Sequence, residues 1–529
     1  MLTLAGAALA QEPSNGLPVT FERLLKAPSE PANWLTYGGD YRSHHFSSLD
    51  QITVENVHRL RAKWIYQMHR SKVETTPIVL DGIMYITRPP SDVIALDAET
   101  GRALWTFEYR LSTRVYVCCG EVNRGLAILG NTLYITTLDA KLIALDARSG
   151  RMLWKRDIAD PGLNYTATAA PLAIKDKIIA GIAGADGGVR GFLDAYDAKT
   201  GERVWRFWTI PAPGEPGSDT WGRGYLRGGG STWVTGSYDP ELNLIFWGTG
   251  NPGPDYNGDV RPGDNLYSCS LLALDADTGK LKWHFQFTPH DTHDWDATKV
   301  PVLLDATLEG QRRKLVVVPN RNGFYYVLDR ETGRFLLAKS YVKQTWAKEI
   351  DQHGRPMLNP GQEPLLEGND TIWPGVDGAN NWMSPSYNPQ TRLLYFNARE
   401  ERRRFFKTDA PEFQPGEAFF GGGGGGGVRF RPEESWGKLV AMTPETGEIQ
   451  WEHRITSPPW AGVLSTAGNL VFSATPSGNF YALDARTGKE LWHFNGGDRV
   501  YASPITFLSR GKQLITIPLG DVLMAFALE

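Results

Sequence analysis

The sequence predicts an all-β protein, an eight-bladed β-propeller with tryptophan-docking repeats, and three observations carry that prediction. One phrase, Ala-x-Asp-x-x-Thr/Ser-Gly-x-x-x-Trp, recurs along the 529 residues. It is intact from Ala95 to Trp105, Ala144 to Trp154, Ala195 to Trp205, Ala273 to Trp283 and Ala482 to Trp492. The copy from Ala441 to Trp451 has Thr443 in place of the Asp, and the copy from Val327 to Leu337 keeps only Asp329, Thr332 and Gly333. The second observation is the period: Asp97, Asp146 and Asp197 lie 49 and 51 residues apart, and Asp275 to Asp329 is 54. The third is the 18 Trp, a high count that the repeats partly explain. A fixed period of this size is the mark of a repeat architecture.

Each part of the phrase has a physical role. The apolar run before the Asp, as in Val-Ile-Ala-Leu-Asp97, suits a buried strand. Asp-x-x-Thr-Gly is turn chemistry, because the carboxylate can accept from backbone N–H groups two residues on and Gly supplies positive φ. The chain then runs extended to a Trp whose broad face can pack between neighbouring units. A hairpin with a packing anchor, repeated radially, describes propeller blades.

The 114 residues from Asp329 to Thr443 leave room for two blades, and a degenerate unit stands there. Ser386-Tyr-Asn-Pro-Gln-Thr-Arg-Leu-Leu-Tyr-Phe396 echoes Ser237-Tyr-Asp-Pro-Glu-Leu-Asn-Leu-Ile-Phe246. Seven phrases plus this unit make eight blades within residues 30–529, with Leu60-Arg-Ala-Lys-Trp64 closing the ring as an outer strand. The alternative is seven blades with a large insertion. Gly421 to Gly427 lacks the Lys and Ser/Thr of a phosphate-binding loop and reads as a mobile loop at the mouth of a funnel.

A net charge of −4 gives no reason to expect nucleic acid as a partner, and no apolar run approaches a membrane-spanning helix. Residues 1–10 read as the remnant of a secretory signal peptide, an apolar run ending in a small-x-small site without its basic start. Export to a periplasm is the expectation. Among three cysteines, two are adjacent, Cys118 and Cys119. Taken alone they suit two buried thiols. In an exported chain a bridge between them can form and persist, and the small ring suits a site that needs a rigid surface. Cys269 reads as a buried apolar residue.

Four segments then carry a resemblance: Cys118-Cys-Gly-Glu-Val-Asn-Arg-Gly125, Gly228-Gly-Gly-Ser-Thr-Trp233, Gly248-Thr-Gly-Asn-Pro252 and Thr288-Pro-His-Asp-Thr-His-Asp-Trp-Asp296. With Trp34-Leu-Thr-Tyr-Gly-Gly-Asp40 and Gly478-Asn-Phe-Tyr-Ala-Leu-Asp484 they extend over nearly the whole chain. The protein resembles the pyrroloquinoline quinone (PQQ)-dependent alcohol dehydrogenases, the methanol/ethanol dehydrogenase large-subunit family.

The resemblance implies a site, residue by residue. Cys118–Cys119 would lie on one face of the flat quinone and Trp233 on the other. Glu74, Arg124, Thr168, Ser231 and Arg321 would bind its carboxylates and edge, Arg by its two-pronged fork. Ala183, where the methanol enzymes place Ser, and Gly184 would face the cofactor, and Asn397 and Trp460 would contact its edge. The metal, a lanthanide or Ca²⁺, would be held by Asp186, Asn251, Asp294 and Asp296. Asp186 stands where the family has a Glu, one methylene longer. Asp296 falls where the lanthanide-using branch carries an additional ligand, and the extra charge favours a trivalent ion. By itself Asp296 is equally a turn-capping carboxylate.

The implied activity is oxidation of an alcohol, a primary one by expectation, to the aldehyde. Asp294 would be the base as hydride passes to the metal-polarised C5 carbonyl of PQQ, with Arg321 beside it. No Cys-x-x-Cys-His is present, so electrons would pass to a separate, soluble cytochrome c. A homodimer is compatible with the sequence. Two alternatives stand beside this reading: a quinoprotein sugar or polyol dehydrogenase, and a non-catalytic propeller scaffold. The loops 359–374 and 399–427 are the expected cap over the substrate.

Overall fold

The computed structural model describes residues 18–70, 72–222, 224–308, 310–369, 371–424 and 434–529. The proposed signal remnant lies outside them. Eight antiparallel sheets of four strands follow one another along the chain, seven as simple meanders and the eighth joining both chain ends. The first comprises Ile78–Leu80, Ile83–Arg88, Asp92–Asp97 and Ala103–Phe107. The seventh gains a short parallel strand, Phe46–Ser47, beside Leu464–Thr466. Among the described residues, no helix is long and apolar enough to cross a membrane.

The repeat phrase does at each blade what its chemistry predicts. Asp97 Oδ1 accepts from the backbone N–H groups of Glu99 (3.0 Å) and Thr100 (2.8 Å) and from the Thr100 hydroxyl (2.9 Å). The same pattern recurs at Asp275 and Asp329. Each turn glycine of the repeat phrase except Gly447 receives the Trp of the preceding blade. At Gly150 (φ +70°) an added Cβ would sit 2.5 Å from the Trp105 ring, and at Gly101 it would sit 2.6 Å from Trp64. Only Gly can adopt this φ freely and admit the ring so closely. Trp64, Trp205, Trp283 and Trp451 also donate their indole N–H to a carbonyl of the next blade at 3.1–3.2 Å. Where the phrase has lost its Trp, Leu337 takes the place against Gly447 with a looser approach of 3.5 Å.

The blade number is eight, but one blade is not where the repeats put it. Ser386–Asn388 and Leu393–Glu401 are the two inner strands of the blade completed by Ser435–Thr443 and Glu448–Ile455, not a blade of their own. Their echo of Ser237 to Phe246 is a likeness between inner hairpins of two blades. The eighth blade is built from Ile505–Ser509, Lys512–Leu519 and Val522–Leu528, with Leu60–Gln67 as its outer strand. The ring is therefore closed by the chain's own two ends, as the N-terminal fragment suggested. This blade's turn phrase cannot exist, because its third and fourth strands belong to opposite ends of the sequence.

The glycine run also departs from expectation. Gly422–Gly424 is a strand paired with Phe405–Lys407, possible because a Cβ on Gly422 would lie 2.3 Å from the Phe406 carbonyl. Gly425 to Gly427 lie outside the described residues. Bridges from Leu365 to Phe406 and Ile372 to Arg403 join the two long loops into one cap.

Candidate active site

Alternation of strand direction decides where side chains of different chemistry go. In each blade the connection into the first strand and the connection between the second and third strands emerge at the same end. The Asp-x-x-Thr-Gly turns, between third and fourth strands, emerge at the other. Glu74, Cys118, Cys119, Arg124, Thr168 and Ser231 precede first strands, and Ala183, Asp186, Asn251 and Arg321 lie between second and third strands. One end thus collects the predicted site from blades far apart in sequence, as loops on a rigid scaffold commonly do.

These residues surround one cavity of about 740 Å³, in the size range of cofactor pockets. Glu74, Cys118, Cys119, Arg124, Thr168 and Ser231 line it with Ala183, Gly184, Asp186 and Trp233. Asp294, Asp296, Arg321 and Trp460 complete the set. Two predicted residues are not on the wall. Asn251 is buried behind it, and Asn397 is buried with its amide bonded to the Ala461 carbonyl (2.7 Å) and Ser473 Oγ (2.8 Å).

Cys118 and Cys119 are joined by a disulfide, and the Lys72 ammonium caps the Cys119 carbonyl. Cys269 is buried and unpaired, with its thiol toward the Trp295 carbonyl. Arg124 pairs with Glu74 (2.7 Å), donates to Thr168 Oγ1 (2.8 Å) and lies 4.7 Å over the Trp233 ring. Burial pushes the Glu74 carboxyl up and the Arg124 charge opposes it. Arg124 Nε has no partner although buried, so the guanidinium keeps a donor for an anion in the cavity.

The acidic floor is held by two loops. Asp291 accepts from the backbone N–H groups of His293 (3.3 Å) and Trp295 (2.9 Å), and His293 stacks on Trp295 at 4.4 Å. Asp294 between them adopts φ +59°, a conformation costly for a non-glycine residue and held here by its neighbours. Arg321 reaches both acids, Nη1 to Asp296 Oδ2 at 2.7 Å and Nη2 to Asp294 Oδ2 at 3.4 Å, and donates to the Val376 carbonyl at 2.8 Å. Asp296 also accepts from the Asn251 backbone N–H (2.7 Å) and the Trp233 indole (3.2 Å). It therefore caps a loop and anchors Arg321. Gly250 makes this approach possible, since a Cβ there would stand 2.6 Å from Asp296 Oδ1.

Asp186, in the turn Ala185–Gly187, has its carboxyl pushed up to about 6 by burial and by the charge of Asp296. Asp294 is pushed well above the carboxylate range by burial and by Asp296, Asp255 and Asp186, with Arg321 opposing. Arg321 holds its proton more firmly than an ordinary guanidinium: burial disfavours the charge, but Asp294 and Asp296 outweigh it. Carboxyl groups crowded at this density ask for a cation.

Sequence reasoning missed several residues at the site. Trp382 stacks on Trp460 at 4.7 Å, and Arg399 lies 3.9 Å over Trp460. Tyr116 and Tyr256 line the cavity. Asp255 is fully buried, and one oxygen each of Asp186, Asp255 and Asp294 lies within 4.8 Å of the others. In Gly-Pro-Asp255-Tyr-Asn nothing separates that Asp from an ordinary turn residue.

Comparison with known proteins agrees with the geometry. Residues 34–343 and 430–515 match the family described as PQQ: glucose/ethanol/alcohol dehydrogenase, beta-propeller domain. The quinoprotein alcohol dehydrogenase PedH of Pseudomonas putida is 37% identical over 98% of this chain and 90% of its own length. The crystal structure of the quinohemoprotein alcohol dehydrogenase from Comamonas testosteroni has a TM-score of 0.91 at 34% identity, covering 98% of this chain and 84% of that one. A europium-containing methanol dehydrogenase has a TM-score of 0.90 at 32% identity, covering 96% and 100%.

Proposed function

This chain belongs to the PQQ glucose/ethanol/alcohol dehydrogenase propeller family and is a PQQ-dependent alcohol dehydrogenase, and from that premise we propose how its residues oxidise an alcohol. The scaffold alternative falls with that membership. The observation that carries the mechanism is the convergence of Asp294, Arg321 and Asp186 in the same cavity as Cys118–Cys119 and Trp233.

The residues present fit the cofactor. A planar group carrying carboxylates suits a cavity walled by Cys118–Cys119 and Trp233, with the open Nε of Arg124 available to an anion. Asp186 and Asp294 would supply the oxygen donors a hard cation takes, with Asp296 adjoining and Asn251 bonded to it through its backbone N–H. When bound, PQQ would supply the two-electron acceptor for the alcohol and the metal a Lewis acid beside it.

The rest is the work of the chain. Asp294 accepts the hydroxyl proton of the alcohol, a role open to it once a cation beside it keeps its carboxylate ionised. Arg321 places its charge where negative charge develops, and its bonds to Asp296 and Val376 hold it there without reorganisation. The stacked Trp382–Trp460 pair lines the cavity with Arg399, Arg403 and Phe420, and these side chains bound the space left for substrate. We assign the reaction to the periplasm, on the signal-like run at residues 1–10, and its electrons to a separate cytochrome c.

The test is reconstitution of the metal-free protein with PQQ and either Ca²⁺ or La³⁺, with turnover of short primary alcohols read through an artificial electron acceptor. Turnover with one metal supports the reading and names the ion. PQQ binding without turnover under either metal removes the catalytic assignment of Asp294.

A further inference from the structure

Asp255 follows Asn251 in the segment Asn-Pro-Gly-Pro-Asp and is completely closed off from solvent. Neither of its carboxylate oxygens takes a hydrogen bond of good geometry, although the Asn251 amide stands beside them. A buried carboxylate left in that state is costly unless a charge partner is supplied. Arg261, also fully buried, opposes that cost with its charge but makes no bond to the carboxylate. Its guanidinium is occupied by main-chain and amide oxygens: the Pro254 carbonyl (3.0 Å), the Asp255 carbonyl (3.3 Å), the Asp291 carbonyl (2.6 Å) and Asn265 Oδ1 (2.8 Å). Arg261 thus ties the backbone of the Asp255 loop to that of the Asp291–Asp294 loop and leaves the Asp255 carboxylate to face Asp186 and Asp294.

We propose that Asp255 is a ligand of the metal, closing a three-carboxylate set with Asp186 and Asp294, a proposal that rests on the metal-dependent reading above. The geometry is that of a cation cage. Oxygens bound at about 2.3–2.6 Å to one ion lie no more than about 5 Å apart, and one oxygen from each of the three acids falls within 4.8 Å of the other two. The set also answers a deficit in the chain. Asp186 stops one methylene short of the Glu its position implies, and Asp255 brings a second carboxylate from the facing loop to the same point. Asp296 is less free for this task, because Arg321, the Trp233 indole and the Asn251 N–H already occupy it. Three carboxylates carry a formal charge that matches a trivalent ion, so Asp255 tips the site toward a lanthanide over Ca²⁺.

Europium is the probe, because the decay of its luminescence in H₂O and D₂O counts the waters on the ion. Metal-free protein reconstituted with PQQ and Eu³⁺ is compared with Asp255→Asn and Asp255→Ala, each checked for fold by near-ultraviolet circular dichroism. The expected result is an affinity for Eu³⁺ lowered about 10- to 100-fold in Asp255→Asn, a smaller loss for Ca²⁺, and one or two added waters on the ion in Asp255→Ala. Should the alanine protein not fold, the affinity of the isosteric asparagine protein decides. Unchanged affinity and an unchanged water count in the variants would overturn the proposal while leaving the metal site standing. Failure of the unsubstituted protein to bind Eu³⁺ or Ca²⁺ with PQQ overturns the metal reading beneath it.

Discussion

The two ends of the propeller use the same residue for opposite purposes. At one end Asp97, Asp146, Asp197, Asp275 and Asp329 close hairpins, and local donors meet their carboxylates. The Ser149 hydroxyl and backbone hold Asp146 below the usual range, and the backbone N–H groups of Thr200 and Lys199 do the same for Asp197. At the other end Asp186, Asp255 and Asp294 are buried, have few donors and crowd one another, and burial with like charge pushes all three up. A satisfied carboxylate stabilises a turn; an unsatisfied group of them is a cation site. Strand alternation alone separates the two populations, one to each end of every blade.

That contrast can be broken from either side. The largest effect belongs to Asp294→Asn, which should lower kcat by about 10²–10⁴-fold with PQQ retained in the absorption spectrum. A fall below tenfold would remove Asp294 from the role of base. Arg321→Lys keeps a charge but loses the fork that reaches Asp294 and Asp296, and kcat should fall about 10²–10³-fold. A change confined to KM would instead mean that Arg321 only holds cofactor or substrate.

A pH experiment sharpens the comparison. Asp186 has its folded pKa raised to about 6, above the unfolded value. Its contribution to the stability of the metal-free protein is therefore full below the unfolded value and is lost as pH rises through about 6. Asp146 and Asp197 have lowered folded values and contribute above the unfolded value, a contribution lost as pH falls below it. Metal binding near pH 5–6 should release protons, fewer as pH rises, measured by titration calorimetry in buffers of different ionisation enthalpy. Proton uptake, or no pH dependence, would contradict a carboxylate cage.

Changes at the turn end should be smaller and blind to catalysis. Gly150→Ala meets the Trp105 ring at a positive φ and should destabilise the fold by about 1–3 kcal/mol, seen as a lower Tm with unchanged turnover per folded molecule. Asp146→Ala loses the bonds to Ser149 and should cost about 1 kcal/mol. If either variant altered the metal dependence of turnover, the two ends would be coupled rather than independent.

The repeat phrase made the turns, the docking tryptophans and seven of the eight blades legible in the sequence, because each depends on residues within a dozen positions of one another. Two elements were misread for one reason. Ser386 to Phe396 looked like a blade because an inner hairpin carries local pattern, whereas the true eighth blade hides because its pairing of Val522–Leu528 with Leu60–Gln67 spans the whole chain. At the site, the adjacent cysteines and His-Asp-Trp-Asp296 became legible through the family resemblance, while Asp255, Trp382 and Arg399 did not.

The sequence by itself determined the blade chemistry, which is written in short spacings and turn propensities, while the cofactor and most of the residues facing the cavity were legible only through the resemblance to a known family. Tertiary structure alone decided which carboxylates are satisfied and which are not. Asp296 meets Arg321 and the Asn251 N–H, while Asp255 is crowded by Asp186 and Asp294 with only the Asn251 amide and the more distant charge of Arg261 to oppose them, because desolvation and charge crowding arise only when loops from distant blades close over one another.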